Sequence, residues 1–297
     1  MRRSVRRYCI AGVGVSLTLA LMPSSGSETG VQTIGTNNRP AGVAEPFQIL
    51  VTNDDGVGAP GIAAVVDALQ TIPNVDVTVV APKTNQSGTS DSHSNGPLTV
   101  EPAMTANGDA AIAVSGFPAD TVWWAVRTGA VPRPDLIVSG INFGNNAGDL
   151  SELSGTVGAA RASARLGIPA VAASQGLSTD FSASAPIVRD IVAFLRPLVE
   201  SAPATVPARI LKIEVPSCTT GAVRGGKIVP VAEVNTPTAY ALTVGTATNG
   251  TYQPTITSRD PFTANCNSTK TEIVDDIDAV NNGFYALSVL NHNLGDS

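Results

Sequence analysis

Two adjacent aspartates, Asp54 and Asp55, directly follow an apolar, β-branched run at 49–52, and a helical pattern begins soon after them. Open α/β sheets place their ligand sites at the carboxyl ends of strands, where this pair is expected. Two like charges repel, and burying them costs stability unless a cation or hydrogen-bond donors offset the charge. Mg²⁺ takes oxygen ligands of this kind, so the pair predicts a metal site. A plain turn whose aspartates cap backbone N–H groups fits the motif equally well.

Two further turns are expected at the same edge of the sheet. The loop 82–92 follows the second predicted strand and contains Ser87 and Gly88, whose hydroxyl and backbone N–H groups suit an anion, although such a loop is usually only a loop. Another strand ends at Asn142, whose side-chain carbonyl can ligate a hard cation without adding charge. Taken alone, this last segment is better explained as an ordinary Asn/Gly turn.

A helix that runs to Gly167 is predicted to open with Ser154, Gly155 and Thr156. Serine and threonine are common caps at helix N-termini. Small residues there also leave free amides at the positive end of the helix dipole, which can bind phosphate. The two roles are compatible, so this segment supports both.

Missing motifs exclude several enzyme classes. The sequence contains no G-x-x-x-x-G-K-[S/T] phosphate loop, no dinucleotide fingerprint after the first strand and no G-x-S-x-G nucleophile motif. Only His93 and His292 are present, which leaves little room for a His-ligated zinc site. Any chemistry is therefore expected to use oxygen ligands.

Apolar strands alternate with amphipathic helices from residue 47 to about residue 216. The predicted strands are 47–52, 76–81, 110–115, 135–139, 169–174 and 209–215. Apolar residues at i, i+3, i+4 and i+7 predict helices around 62–69 and 187–198. Several strands are apolar almost throughout, as strands covered on both faces must be. This alternation predicts an α/β fold with a doubly wound, mostly parallel, Rossmann-like sheet in a core domain at 47–216.

The last part of the chain, 217–297, reads as a β-rich extension. Short strands or hairpins are predicted near 227–231, 239–244 and 286–290. Because isolated hairpins are marginally stable, this extension is expected to pack on the main domain or on another subunit. Cys218 and Cys266 both lie here, and in an oxidising compartment they favour one disulfide over a zinc site.

The N-terminus has the composition of an export signal. Four arginines precede an apolar stretch from Cys9 to Met22 and small residues suited to cleavage, which predicts a signal peptide at 1–25 and a flexible segment at 26–46. The stretch is too short for a membrane anchor. Without those arginines 14 basic residues remain against 24 acidic ones, a net charge of −10, so no basic surface for nucleic acid or an anionic membrane is expected. The predicted location is secreted or periplasmic.

Several motifs of the chain, taken in order, resemble those of the survival protein SurE family, the metal-dependent 5'/3'-nucleotidases. They are Val51-Thr-Asn-Asp-Asp-Gly-Val-Gly-Ala-Pro-Gly61, Val79-Val-Ala-Pro82, Gln86-Ser-Gly-Thr-Ser90, Gly116-Phe-Pro-Ala-Asp-Thr121, the segment 134–148, the segment 153–160 and Asp276-Ile-Asp-Ala-Val-Asn-Asn-Gly-Phe284. The resemblance runs from about 47 to 290. It implies a SurE-type sheet and an enzyme that hydrolyses phosphate monoesters.

The resemblance also implies a residue set for the site. One divalent cation, Mg²⁺ or Mn²⁺, would be held by Asp54, Asp55, Ser87 and Asn142. Asp54, Asp55 and Asn142 would be catalytic, and Asp54 is the better candidate to position or deprotonate water. The residues expected to bind substrate or its phosphate are Asn53, Ser87, Gly88, Asn146, Ser154, Gly155 and Thr156.

The chain departs from the family pattern beside these residues. Leu153 replaces a tyrosine, Phe117 a threonine and Gln86 an arginine, and Phe143 stands where a polar residue is common. None of these changes removes an expected metal ligand. Loss of the arginine and the tyrosine is expected to alter nucleotide affinity.

The resulting hypothesis is an exported, metal-dependent 5'-nucleotidase that releases phosphate from nucleoside 5'- or 3'-monophosphates and assembles as a homodimer or homotetramer. One alternative is a non-catalytic nucleotide- or phosphate-binding protein, against which the Asp54 and Asp55 pair weighs, since an anion binder gains nothing from two carboxylates. The other is a broad acid phosphatase or exopolyphosphatase on the same scaffold. The sequence does not separate that alternative from the first hypothesis.

Overall fold

The computed structural model describes residues 45–202, 208–233, 242–244, 254–256 and 264–291. The predicted signal peptide, and the segment 26–46 except for its last two residues, lie outside these ranges. No helix within the described ranges is both long enough and apolar enough to span a bilayer.

A mixed sheet forms the centre of the described structure. Its strands are β1 (Phe47–Thr52), β2 (Val75–Pro82), β3 (Val100–Met104), β4 (Ala110–Val114), β5 (Leu136–Phe143), β6 (Ala170–Gln175), β7 (Ile210–Val215), β8 (Gly226–Ile228) and β11 (Tyr285–Leu290). They lie in the order β3-β4-β2-β1-β5-β6-β7-β11-β8. The neighbours from β4 to β7 are parallel, whereas β3 pairs antiparallel with β4 and β11 antiparallel with β7. A separate antiparallel pair joins β9 (Leu242–Val244) to β10 (Pro254–Ile256).

Helices cover both faces of this sheet. They are α1 (Pro60–Gln70), α2 (Pro118–Thr128), α3 (Leu150–Leu153), α4 (Gly155–Arg165), α5 (Ser184–Ser201) and α6 (Asp276–Asn281). Alternate residues of β1 point to opposite faces, so Ile49 and Val51 pack with α1 and α5 in one core and Leu50 packs with α2 and α4 in another. The predicted doubly wound α/β fold is confirmed.

The C-terminal extension supplies closing strands to this sheet. β11 continues the sheet beyond β7, and β8 pairs in parallel with β11, from Tyr285 opposite Gly226 to Leu287 opposite Ile228. A disulfide joins Cys218 to Cys266, as predicted, with their Cα atoms 5.7 Å apart. Residues 239–241 of the predicted strand at 239–244 lie outside the described ranges, and the remainder forms β9.

Candidate active site

The turn after β1 holds the two aspartates in different surroundings. Asp54 is buried, and its Oδ1 accepts a hydrogen bond of 2.6 Å from the Thr156 hydroxyl at the start of α4. Asp55 is half-buried, and its Oδ2 accepts a bond of 2.9 Å from the backbone N–H of Phe143 at the end of β5. The two carboxylates therefore connect the tip of β1 to two other elements of the site.

Burial raises the pKa of both carboxyl groups, and at Asp55 the charge of its neighbour adds to that rise. Burial raises the pKa of Asp54, and hydrogen bonds from Thr156 and from nearby backbone amides oppose that rise. Burial first, and the neighbouring Asp54 carboxylate second, raise the pKa of Asp55 to about 7. Among the described residues, no lysine or arginine forms an ion pair with either group. The pair thus lacks a described counter-charge.

Asn142 lies at the end of β5, just after an irregularity in the pairing of β5 with β6. The register of these strands shifts between Ser139 and Asn142, and such bulges re-aim the side chains that follow them. The Asn142 amide donates to the carbonyl oxygen of Gly144 at 2.7 Å, which fixes its orientation. Its buried Oδ1 has no hydrogen-bond partner within the described structure. A buried acceptor of this kind costs free energy unless a ligand, a water or an ion satisfies it.

The loop after β2 lies against the same edge of the sheet. The backbone N–H of Gln86 donates to the carbonyl of Asp54 at 2.6 Å, and Asn85 Nδ2 lies 3.4 Å from Asp55 Oδ1. Ser87, which is exposed, donates its N–H to Asn85 Oδ1 at 2.9 Å. These bonds place the Ser87 and Gly88 backbone next to the aspartate turn.

Helix α4 approaches the loop and the turn closely because it begins with small residues. A Cβ on Gly158 would lie 2.0 Å from the carbonyl oxygen of Ser90, and a Cβ on Gly155 would lie 2.8 Å from Asp54 Cβ. Ser154 caps the helix, its Oγ accepting from the Val157 N–H at 3.1 Å. The N-terminus of α4, where backbone amides and the helix dipole favour an anion, therefore lies beside Asp54.

These elements surround one cavity of about 230 Å³. Six of the predicted site residues line it, namely Asp54, Ser87, Gly88, Asn142, Asn146 and Ser154.

The other four predicted site residues are not among the lining residues of this cavity, namely Asp55, Thr156, Gly155 and Asn53. Asp55, Thr156 and Gly155 contact lining residues or their neighbours, as described above. Asn53 is buried in the turn, where its amide donates to the carbonyl of Gly56 at 2.8 Å. A direct contact of these four residues with substrate stays a prediction.

A buried charged cluster that the sequence analysis did not identify lies behind Asn146. Lys212 and Glu214 on β7 and Asp276 on α6 are fully buried, and Lys212 Nζ lies 2.6 Å from Asp276 Oδ2. Lys212 also donates to the carbonyl of Asn146 at 3.0 Å, and Glu214 Oε2 accepts from the Asn146 N–H at 2.8 Å. Burial raises the pKa of Glu214 to about 7, although Lys212 opposes that rise. The sequence did contain a signal for this cluster, because Lys212 and Glu214 are charged residues at alternate positions of an otherwise apolar strand.

The donors at the cavity fit a hard cation. Across the described ranges no group of three or more His, Cys, Asp or Glu side chains is placed to hold a metal ion. Asp54, Asn142 and Ser87 all line the cavity, and their side chains carry a carboxylate, an unpartnered amide oxygen and a hydroxyl. Oxygen donors of these types match the preference of Mg²⁺ and Mn²⁺.

Comparison with known proteins identifies the family. Residues 49–238 match the family described as Survival protein SurE. A protein from Proteus mirabilis named 5'/3'-nucleotidase SurE is 40% identical over 189 residues, which cover 61% of this chain and 68% of that protein. A protein from Polaromonas naphthalenivorans named 5'-nucleotidase SurE is 39% identical over 189 residues, covering 61% and 70%. The crystal structure of the SurE protein from Aquifex aeolicus superposes with a TM-score of 0.63 at 28% identity, covering 84% of this chain and 95% of that one. The chain belongs to the SurE family.

Proposed function

We propose that this chain is a metal-dependent 5'/3'-nucleotidase that hydrolyses nucleoside monophosphates to nucleoside and phosphate. The main observation in support of this proposal is the cavity that Asp54 lines. Asp54, which has no described counter-charge, Asn142, whose buried amide oxygen is unpartnered, and Ser154, which caps α4, all line it. The relatives named 5'/3'-nucleotidase and 5'-nucleotidase support the same activity.

The residues of the chain have separate roles in this proposal. Asp54, Asp55, Ser87 and Asn142 would hold one Mg²⁺ or Mn²⁺, which when bound offsets the negative charge that develops on the phosphate. Ser154, Gly155 and Thr156 would bind the phosphate through backbone amides and hydroxyl groups, because helix N-termini favour anions. Gly88, Asn146 and Asn53 would complete the phosphate pocket.

Asp54 would also orient the attacking water and take up its proton. The Thr156 hydroxyl holds one Asp54 oxygen in place at 2.6 Å, so the carboxylate is fixed before substrate arrives. In the reaction, the water oxygen forms a new bond to phosphorus and the ester P–O bond breaks. The leaving nucleoside oxygen then takes up the proton that Asp54 accepted from the water, and this restores the Asp54 carboxylate.

The test is phosphate release from nucleoside 5'- and 3'-monophosphates, measured with EDTA and with added Mn²⁺. We expect EDTA to abolish turnover and Mn²⁺ to restore it. Asp54→Asn should lower kcat about a thousandfold, since the loss of several kcal/mol of transition-state stabilisation is at stake. Asp76→Asn is the matched control, because Asp76 is an exposed aspartate near the start of β2.

Three results would overturn this proposal. Turnover that is unchanged by both EDTA and Asp54→Asn would exclude the metal mechanism. Tight binding of nucleotide without any phosphate release would favour a non-catalytic binding protein on this scaffold. A rate on tripolyphosphate that exceeds the rate on every nucleotide would favour an exopolyphosphatase.

We also propose that the protein is exported and acts outside the cytoplasm. Its N-terminal arginines and apolar stretch have the pattern of a signal peptide, and the disulfide between Cys218 and Cys266 suits an oxidising compartment. Mass spectrometry of the mature N-terminus would test this. A mature chain from an exporting host that retained residues 1–25 would contradict it.

Assembly as a homodimer or homotetramer is a further part of the proposal. Phe194 and Leu198 on α5, Ile228 on β8 and Val289 on β11 are exposed apolar side chains, and surfaces of this kind often mark contacts between proteins. Gel filtration of the mature chain is the test, and a strict monomer would exclude this part of the proposal.

A further inference from the structure

The segment 145–151, which we call the wall segment, forms part of the wall of the cavity. Asn145 and Asn146 at its start both line the cavity. The backbone N–H of Gly148 donates to Asp276 Oδ2 at 3.0 Å, which ties the wall segment to α6. The buried charged cluster therefore contacts the cavity wall directly.

Within this cluster, Lys212 and Asp276 balance each other and leave Glu214 without a counter-charge of its own. The ammonium group of Lys212 uses all three of its protons elsewhere. They go to Asp276 Oδ2 at 2.6 Å, to Ser151 Oγ at 2.8 Å and to the carbonyl of Asn146 at 3.0 Å. Glu214 Oε1 lies 3.9 Å from Lys212 Nζ, which is too far for a hydrogen bond. An ionised Glu214 would thus give this fully buried cluster a net negative charge, which is costly.

Glu214 and Asn145 each have one buried oxygen without a hydrogen-bond partner in the described structure, namely Oε1 and Oδ1. The two side chains are already joined, because Asn145 Nδ2 donates to Glu214 Oε2 at 3.1 Å. Glu214 Oε2 also accepts from the Asn146 N–H at 2.8 Å. A proton on Glu214 Oε1 turns that atom into a donor, and the amide oxygen of Asn145 is the acceptor that still lacks one. One proton therefore satisfies both unpartnered atoms.

The surroundings of Glu214 favour the same protonated form. Burial raises the pKa of Glu214 to about 7, and the charge of Asp276 adds to that rise, while Lys212 and hydrogen bonds from the wall segment oppose it. The neighbouring strands place uncharged residues opposite Glu214, Ser174 on β6 and Ala286 on β11. Among the described residues, Lys212 and Asp276 are thus the charged groups that act on this carboxyl.

We propose that Glu214, in its protonated form, is a positioning residue that holds the wall segment in the shape that binds the substrate phosphate. Its O–H donates to Asn145 Oδ1, while its other oxygen accepts from Asn145 Nδ2 and from the Asn146 N–H. When the proton passes to solvent, two buried acceptors are left without a donor, and the wall segment loses its fixed position. This inference rests on the proposed function, which assigns Asn146 to the phosphate pocket, and it names a regulation of that site by pH.

Three variants separate this role from a general effect on the fold. Glu214→Gln copies the protonated acid at every pH, because the amide of glutamine supplies one donor and one acceptor in the same places. Asn145→Ala removes the partner amide. Glu200→Gln is the matched control, since Glu200 is an exposed glutamate on α5 that pairs with Arg196 at 2.8 Å.

KM and kcat for adenosine 5'-monophosphate are measured at pH 5 and at pH 8 with saturating Mn²⁺. The wild-type KM, divided by the KM of Glu214→Gln, should rise about fivefold between these two pH values, as the loss of one positioning hydrogen bond predicts, with the ratio of kcat little changed. Taking the ratio at each pH removes the titration of the substrate and of the metal ligands. Asn145→Ala should raise KM already at pH 5, and Glu200→Gln should follow the wild type. A role in stability alone would not make KM depend on pH in this way.

Infrared spectroscopy tests the proton itself and needs no enzymatic activity. The spectrum of the wild-type chain minus that of Glu214→Gln should show the C=O stretch of a protonated carboxyl group at pH 5, and this band should be lost at pH 8. In Asn145→Ala the band should move to a higher frequency, because the acid has lost its hydrogen-bond partner.

A KM ratio that does not vary with pH would overturn the inference, as would the absence of the infrared band from the wild-type chain at pH 5. If no nucleotide is hydrolysed, the proposed function has failed. Calorimetric binding of adenosine 5'-monophosphate with Mn²⁺ at the two pH values then decides the role of Glu214. Affinities that change equally with pH in the wild-type chain and in Glu214→Gln would contradict that role.

Discussion

Two pairs of carboxylates lie beside the central sheet, and they differ in what balances their charge. Glu214 and Asp276 are fully buried, and the chain provides its own cation for them, Lys212, whose Nζ is 2.6 Å from Asp276. Asp54 and Asp55 stand at the tip of β1 beside a cavity, and no described lysine or arginine pairs with them.

The contrast suggests different purposes for the two pairs. A buried carboxylate that the chain itself neutralises can serve structure, and here Lys212 and Glu214 both bond to the backbone of Asn146 in the cavity wall. A carboxylate pair without an internal cation is costly unless a ligand offsets its charge. We infer that Glu214 and Asp276, together with Lys212, fix the position of the backbone at Asn146. We also infer that Asp54 and Asp55 bind a cation from solution.

The largest effect is expected from removing the internal cation. Lys212→Met leaves Asp276 and Glu214 buried without their counter-charge, and breaking a buried pair in this way costs about 3–5 kcal/mol of unfolding free energy. Lys270→Met is the matched control, since Lys270 makes a pair of 2.7 Å with Asp278 but is half exposed, and such surface pairs contribute about 0–1 kcal/mol.

Urea unfolding of both variants measures this difference. Equal losses of unfolding free energy in the two variants would mean that the buried cluster contributes no more to stability than a surface ion pair. Mn²⁺ should not restore the stability of Lys212→Met, because the missing charge lies in the other cluster. Restoration by Mn²⁺ would contradict the separation of the two pairs.

A smaller, pH-dependent effect is expected at Glu214. The pKa of Glu214 is raised to about 7 in the folded chain, so the folded state holds a proton that the unfolded chain loses near its ordinary value of 4.5. The contribution of this proton to the unfolding free energy is fully present below pH 4.5, and it is lost as the pH rises through about 7. The difference in unfolding free energy, wild type minus Glu214→Gln, should fall by about 2 kcal/mol between pH 5 and pH 8.

Subtracting the variant at each pH removes the contribution of the other titrating groups, including Asp54 and Asp55. Glutamine keeps the shape and an acceptor oxygen, so the measurement isolates the proton. A difference that does not vary with pH would show that Glu214 is ionised throughout. The buried cluster would then hold two full negative charges against Lys212.

The smallest effect is expected from the hydroxyl that supports Asp54. Thr156→Val removes the donor 2.6 Å from Asp54 Oδ1 while it keeps the shape of the side chain. The loss of this one hydrogen bond should destabilise the fold by about 0.5–1.5 kcal/mol. Thr156→Ser keeps the hydroxyl and should recover most of this loss. Equal losses for valine and serine would show that packing, rather than the bond, matters at this position.

Local patterns explain why much of the fold could be predicted from the sequence. The strands predicted at 47–52 and 169–174 are β1 and, shifted by one residue, β6, because apolar β-branched runs between turns leave few alternatives. The helical stripe around 187–198 lies within α5. The strand β3 was not predicted, since its exposed sequence Val-Glu-Pro-Ala-Met has a proline and little apolar periodicity and suits an edge.

The candidate site could be predicted in part for the same reason. Asp54 and Asp55 follow a strand, and the carboxyl ends of parallel strands lie at the same edge of a sheet. The edge of the sheet at which the two aspartates lie could therefore be inferred. The orientation of Asn142 could not, because it depends on a register shift between β5 and β6. The partner of Lys212 lies 64 residues away on α6, and no local pattern connects the two.

Asp54 and Asp55 are expected to bind a cation that the chain does not provide, and Mn²⁺ titration in a calorimeter measures this binding. We expect one site per wild-type chain, loss of that site in Asp54→Asn and Asp55→Asn, and full retention in Asp76→Asn. The metal should also stabilise the wild-type fold by about 2.7 kcal/mol at a concentration of 100 times Kd. Binding that persists unchanged in both site variants, or no binding by the wild-type chain, would contradict it.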